Sequence, residues 1–149
     1  MLDRNPKKCA EFHCDKHTVK MILEYSQLMC TVHRKIGNDA PYRKTHSNNP
    51  CTLWLEESID NYNWLLELAE NLVLEYRKRF ESDYHKCTQV IAWCRNNKPK
   101  IESKGITSRP KVMPDEYKQD DVVESYREYY KDDKSSFAEW TNKEPYWWL

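Results

Sequence analysis

Apolar positions recur at helical spacing along most of the chain. From Pro6, which suits a first helical turn, Cys14, Thr18, Met21, Ile22, Tyr25, Leu28, Met29 and Val32 keep an i, i+3, i+4 rhythm to about His33. Gly37 and Asn38 stop this first helix. Asp39 to Asn49 has no period and reads as a polar loop. Asn49 then caps, and Pro50 opens, a second helix of about thirty residues, roughly 45 Å long, burying Leu53, Trp54, Tyr62, Leu65, Leu66, Ala69, Leu72, Val73, Tyr76 and Phe80. A third helix is expected from about Tyr84 to Arg95, anchored by Val90, Ile91 and Trp93. Asn96 to Pro114, with three prolines and many basic residues, reads as an extended crossing. A fourth helix from about Asp121 to Lys131 and a short fifth around Ser135 to Trp140 lead to the aromatic end Tyr146-Trp147-Trp148. The pattern predicts an all-α fold, one domain over residues 1–149 with two long central helices and four to five in all, and no internal repeat.

Composition agrees. A chain of 149 residues supports one core rather than two. Two glycines are too few for Gly-rich phosphate loops or a hairpin-rich sheet. No apolar run has the length of a membrane span or a signal sequence, so a cytoplasmic protein is expected, and its six cysteines read as reduced thiols. The net charge is zero but unevenly spread. Tyr76 to Lys111 holds ten basic and three acidic residues, whereas Val112 to Leu149 holds five and ten. The basic segment is a phosphate-facing surface or a solvated helix face. Overall neutrality lacks the charge footprint usual in proteins that grip duplex DNA.

Two features carry candidate chemistry. The first is His17 with Glu24, seven residues apart on one otherwise apolar helical stripe. Lys20 and Glu24 can be an i, i+4 surface pair with His17 a satisfied core histidine. Alternatively, Glu24 is a general acid or base in a groove, His17 orients it, and Gln27 one turn on binds a ligand. The second feature is Cys14-x2-His17 followed by Cys30-x2-His33, which has zinc-ligand types and spacing. On one continuous helix the two pairs lie roughly 24 Å apart, beyond the reach of one ion. His13 and His17 could share a metal, but lack a third ligand.

Asp15-Lys16-His17 followed by Glu24 resembles the phage pyrimidine-dimer DNA glycosylases, small all-helical enzymes with Asp-x-His-x6-Glu on their first long helix. The Asn49-Pro50 entry is similar to that family's second long helix, and Tyr126-Arg127-Glu128-Tyr129-Tyr130-Lys131 to its aromatic, basic carboxy-terminal segment. The whole chain also looks like a set of phage and marine proteins of unknown function. These share Cys-Asp-Lys-His near the start, Asn-Pro-Cys or His-Pro-Cys at a helix entry, and Met-Pro-Asp-Glu-Tyr later.

The resemblance implies a glycosylase and abasic-site lyase acting on damaged or modified pyrimidines, without a metal or cofactor. A terminal α-amine attacks the sugar carbon, a Schiff base forms, and the helix glutamate assists strand cleavage. Carried onto this chain, the catalytic set is Glu24, His17 and the amine of Met1, retained because Leu2 is bulky. Substrate contacts would come from Lys20, Gln27, Arg43, Lys44, His46, Tyr129, Tyr130 and Lys131. Lys20 is an alternative amine if burial lowers its pKa. The chain departs from the family in placing Leu23 and Gln27 where arginines grip phosphate. The partner would be damaged duplex DNA, in the cytoplasm of an infected host cell if the protein is viral. Two other function classes fit the residues. One is a groove of His17, Glu24 and Gln27 with aromatic walls from Tyr25, Trp54 or Tyr62, binding a nucleotide without cutting. The other is an interaction protein that anchors on a host factor through Tyr146, Trp147 and Trp148.

Overall fold

The computed structural model describes residues 1–148. They form six α-helices, α1 (Pro6–Phe12), α2 (Asp15–Lys35), α3 (Pro50–Glu57), α4 (Ile59–Arg79), α5 (Thr88–Asn96) and α6 (Val122–Lys134), with a 3₁₀ turn at Asp115–Tyr117. The described residues contain no strand, so the fold is all-α. None of these helices is long and apolar enough to cross a membrane. The long α2 and α4 form the centre. α4 packs against α1, α2, α3 and α5.

Both long helices expected from periodicity are broken, for different reasons. The first stops at Phe12, passes through extended His13 and Cys14, and restarts at Asp15. Neither glycine nor proline marks the place. Arg79, at the end of α4 with its side chain 1% exposed, holds the break open. Its guanidinium donates to the carbonyls of Glu11 (2.9 Å) and His13 (2.6 Å), to Thr18 Oγ1 (3.0 Å) and to Asp15 (3.3 Å). A helix end that would leave orphan carbonyls is thereby satisfied from another part of the chain. The second break is local. Ser58 leaves helical geometry and its Oγ accepts from the Asp60 N–H at 3.2 Å, an ordinary N-cap. The fully buried Asn61 then donates to the Trp54 carbonyl at 2.7 Å. This break changes the phase of α3, leaving Leu53 43% exposed, and Phe80 beyond α4 is 39% exposed, so neither is the buried residue expected.

Other boundaries follow local signals. Asn5 caps α1, Asn49 caps α3 ahead of Pro50, and Asp121 caps α6 through the N–H groups of Val123 and Glu124. Gly37, at φ +87°, ends the α2 region in a conformation costly for other residues. α5 starts at Thr88 rather than Tyr84, and residues 97–114 form the expected extended crossing. That crossing is pinned over the α3–α4 break, where Thr107 N–H donates to Asn61 Oδ1 and Gly105 N–H to Asp60.

The expected fifth helix at Ser135 to Trp140 is absent. This segment serves as a strap: Trp140 Nε1 donates to the Phe12 carbonyl (3.0 Å) and Thr141 N–H to Asp15 (2.9 Å). Beyond it, Trp147 is buried against Phe12 and Tyr130, closing the end of the core. Of the three tail aromatics offered as anchors for a host factor, Trp147 is therefore not available at the surface. Tyr62, offered as a groove wall, is instead fully buried and hydrogen-bonded to His33 (2.8 Å).

Replacing Arg79 by Met should strand the Asp15 and Glu75 carboxylates and the freed α1 carbonyls. We expect urea denaturation to show a loss of about 3–5 kcal/mol. The exposed Lys20→Ala should change stability by less than about 0.5 kcal/mol.

Candidate functional site

The break between α1 and α2 turns the amino terminus back against the bundle. Arg127, buried on α6, fixes it by donating from Nε to the Leu2 carbonyl (2.9 Å) and pairing with Asp3 (3.0 Å). Leu2 N–H approaches the Cys9 thiol sulfur at 3.4 Å. Met1 is thereby placed in a cleft between α2 and α6.

The cleft has two lobes. The larger, about 250 Å³, is walled by His17, Met21 and Tyr25 from α2 and by Tyr126, Tyr129 and Tyr130 from α6. Asp133 and Lys134 stand at the α6 end. A smaller lobe of about 80 Å³ continues between Trp54, Trp64 and Arg109. Met1, Tyr25, Cys51 and Tyr126 line both lobes. The wall spacings, 17/21/25 and 126/129/130/133/134, each mark one face of a helix. A mostly apolar, aromatic cleft with a few convergent polar groups is the ordinary form of a small-ligand site.

Burial biases the amine, imidazole and phenol groups of the cleft toward their neutral forms. Burial is the main cause lowering the pKa of the Met1 amine, with the nearby Arg109 charge adding to it. His13 is pushed down to about 3, chiefly by burial, and His17 well below its ordinary value for the same reason. The two imidazoles stack at 4.9 Å with a 16° interplanar angle, a geometry that disfavours charging both. His13 Nδ1 lies 2.6 Å from the Cys9 carbonyl, so it carries the proton there, and Tyr25 donates to Nε2 at 2.9 Å. The Tyr130 hydroxyl accepts the Cys14 N–H (2.8 Å) and needs an acceptor for its own proton. His17 Nδ1, at 3.1 Å, supplies it. This network assigns the His17 proton to Nε2, as a donor not used by Tyr130. Burial also raises the pKa of Tyr25 and Tyr130, keeping both phenols protonated.

Of the residues proposed from sequence, Met1, His17, Tyr129 and Tyr130 meet at this cleft. Glu24 is not among the lining residues; it pairs with Lys20 at 3.5 Å, the two side chains 43% and 68% exposed. The helix explains this. Seven residues fall about 20° short of two full turns, whereas Met21 and Tyr25 advance by about 40° and 80° from His17. Glu24 and Lys20 therefore drift off one side of the stripe while the cleft lies on the other. An exposed Lys20 has not been desolvated, which removes the basis for its use as the amine.

Gln27 is half-buried outside the lining, and Arg43, Lys44 and His46 are exposed in the loop between α2 and α3. His46, at φ +49°, accepts from Asn49 N–H and Thr52 Oγ1 through its carbonyl, and so serves the α3 entry. Lys131 pairs with Glu128 at 2.8 Å. The apparent zinc pairs divide along α2. His17 faces the cleft, while His33 bonds Tyr62 and Asn38 at the other end. No group of three potential ligands gathers among the described residues.

Cys51, Asp133 and Arg109 had no functional role assigned from the sequence, and Tyr126 entered only as the first residue of the aromatic segment of α6. The i, i+3, i+4 tyrosines of α6 were the available signal for one wall. Arg109 lies in the aperiodic crossing, where no pattern points to it.

The fold and cleft define a small all-helical protein with an aromatic site whose charged residues, Asp133, Lys134 and Arg109, belong to its walls. Comparisons of the chain with protein-family models, with curated proteins and with solved structures find no match.

The neutral histidines give a pH signature. Above the ordinary histidine pKa of about 6.5, folded and unfolded chains are both neutral at these sites. As pH falls, the unfolded chain takes up protons that His13 (about 3) and His33 (about 4) refuse when folded. Stability is therefore lost from about pH 6.5 downward, each such histidine contributing about 1.4 kcal/mol per pH unit. Guanidinium titrations between pH 7 and 5 should show this fall, and His13→Gln should flatten it.

Proposed function

We propose that this chain is a DNA glycosylase with abasic-site lyase activity on damaged or modified pyrimidines, and that the α-amine of Met1 is its nucleophile. One observation carries this reading. The amine is enclosed at the junction of two aromatic lobes, with its pKa lowered by burial and by Arg109. An unperturbed α-amine, with a pKa of about 7.7–8, is already partly neutral at pH 7, and lowering it increases the nucleophilic fraction.

The cleft residues suit the steps. A target nucleotide leaves the stack and enters between Tyr25, Tyr126 and Tyr129. The amine lone pair forms a bond to C1′ as the N-glycosidic bond breaks, its electrons leaving with the base. His17 Nε2–H donates to the departing pyrimidine. The nitrogen gives up one proton and its lone pair forms the C=N bond as the C1′–O4′ bond breaks, its electrons going to O4′, which takes up that proton; the ring-opened iminium results. Loss of a C2′ proton then expels the 3′ phosphate with the C–O bonding electrons. Hydrolysis of the iminium releases the sugar aldehyde and returns the amine. The carboxylate in the cavity wall is Asp133, so in this reading it accepts the C2′ proton, and Glu24 remains in its surface pair.

A second reading, nucleotide binding without cleavage, is favoured by a specific observation: the glutamate of the family resemblance stands outside the cleft.

Borohydride reduction in the presence of duplex DNA carrying an abasic site or a cyclobutane dimer should trap a covalent adduct. Adding one glycine before Met1 should remove it while leaving the thermal transition intact. Asp133→Asn should slow strand cleavage by about 10²-fold or more, against a few-fold at most for Glu24→Gln. The reverse order would give the proton-accepting role to Glu24. Absence of any adduct, with tight nucleotide binding retained, would establish the non-catalytic reading instead.

A further inference from the structure

Arg109 differs from the other sequestered arginines. Arg34 is answered by Asp39 and the Tyr42 carbonyl, Arg79 by two carboxylates and two carbonyls, and Arg127 by Asp3 and the Leu2 carbonyl. The Arg109 guanidinium is half-buried yet has no carboxylate or carbonyl partner among the described residues, and its Nε is a buried donor without an acceptor. Two indoles hold it in place, Trp64 with its ring centre 4.8 Å away and Trp54 at 5.5 Å. Cation–π contact offsets part of the charge but satisfies none of the five N–H donors. Burial, and then the Arg4 charge, lower its pKa.

Position gives this group a purpose. Arg109 is the shared wall between the small aromatic lobe and a separate recess of about 310 Å³. That recess is lined also by Arg4, Thr107, Ser108, Lys111 and one carboxylate, Asp120. Lys111 is held by the Gln119 and Asp120 carbonyls, and Arg4 pairs with the exposed Asp121, so both cations are fixed at the recess. On its other side Arg109 is close enough to Met1 to depress the amine. A planar guanidinium with a free donor fork, between an aromatic slot and a cationic recess, matches a phosphate attached to a stacked nucleoside.

We propose that Arg109, supported by Arg4 and Lys111, is the phosphate subsite of the cleft, taking the phosphate of a pyrimidine nucleotide whose base and sugar occupy the aromatic lobes. This rests on the cleft accepting a nucleoside, and it deepens that reading. It places the phosphate grip on the crossing segment, away from Leu23 and Gln27 of α2. The shared chemistry is a phosphate ester, whether of a free nucleotide or of a DNA strand.

Calorimetry with thymidine, thymidine 5′-monophosphate and a duplex containing a tetrahydrofuran abasic analogue tests this. The monophosphate or the duplex should bind at least about tenfold more tightly than thymidine, as expected of a charge-assisted bidentate contact. Arg109→Gln should remove the preference for the phosphate ligands over thymidine; Arg109→Lys should restore part of it. Ser108→Asp, at an exposed position in the recess, should remove it by repulsion without disturbing the core. Dependence on Arg109 with the monophosphate identifies a free nucleotide; dependence with the duplex alone identifies a DNA backbone. Equal binding of thymidine and both phosphate ligands overturns the proposal, as does full retention of the advantage in Arg109→Gln and Ser108→Asp. So does failure of all three to bind. An adduct that forms regardless of Arg109 would leave the lyase reading standing without this subsite. Arg109-dependent phosphate binding without an adduct would do the opposite.

Discussion

The Arg79 guanidinium fixes where the chain breaks between its first two helices, and that break decides where the amino terminus goes. Continuous helix through His13 and Cys14 would carry the first residues straight on, away from α6. Arg79 instead takes up the carbonyls of Glu11 and His13 and joins them to Asp15 and Thr18 at the start of α2. Its charge is sequestered but amply partnered, the condition under which a buried ion is tolerated and its loss is costly. The folded-back α1 then packs on α4, and Arg127 draws Leu2 and Asp3 onto α6. Two buried arginines thus build the cleft by holding the backbone that surrounds it.

The cleft also has a consistent electrostatic character. Desolvation acts in one direction on each of its groups: the amine, His13 and His17 lose affinity for protons, while Tyr25 and Tyr130 keep theirs. The result is a set of donors and acceptors biased toward their neutral forms, with the histidines and tyrosines arranged by hydrogen bonds. Charge is met at the edges, at Asp133 and Lys134 on one side and Arg109 on the other. In the proposed reading, the Met1 amine is the nucleophile in this slot of aromatic faces, and Arg109 at its border takes the phosphate of a nucleotide.

How much of this was legible in the sequence depended on how local the cause was. Asn49-Pro50, Gly37-Asn38 and Asp121 set boundaries through contacts within a turn, and could be read directly. The Ser58 cap was equally local, but an unbroken apolar rhythm across it suggested one helix. The break at His13 and Cys14 had no local signal, because the group that satisfies it lies more than sixty residues away. At the site, His17 was visible as a polar residue on an apolar stripe, and Tyr129 and Tyr130 as an aromatic segment. Glu24 was expected on the stripe of His17, but its lag of about 20° lies opposite in sense to the advance of Met21 and Tyr25, and it falls off the cleft side. Arg109 was invisible, since its meaning comes from two tryptophans on different helices.

Burial in the cleft between α2 and α6 lowers the pKa of the Met1 amine. Titration of that amine by NMR, in protein labelled with ¹⁵N-methionine, tests it directly. A pKa below the range of about 7.7–8 found for unperturbed α-amines is expected. A value within or above that range would contradict it, because neither burial nor the Arg109 charge would then be acting on the group.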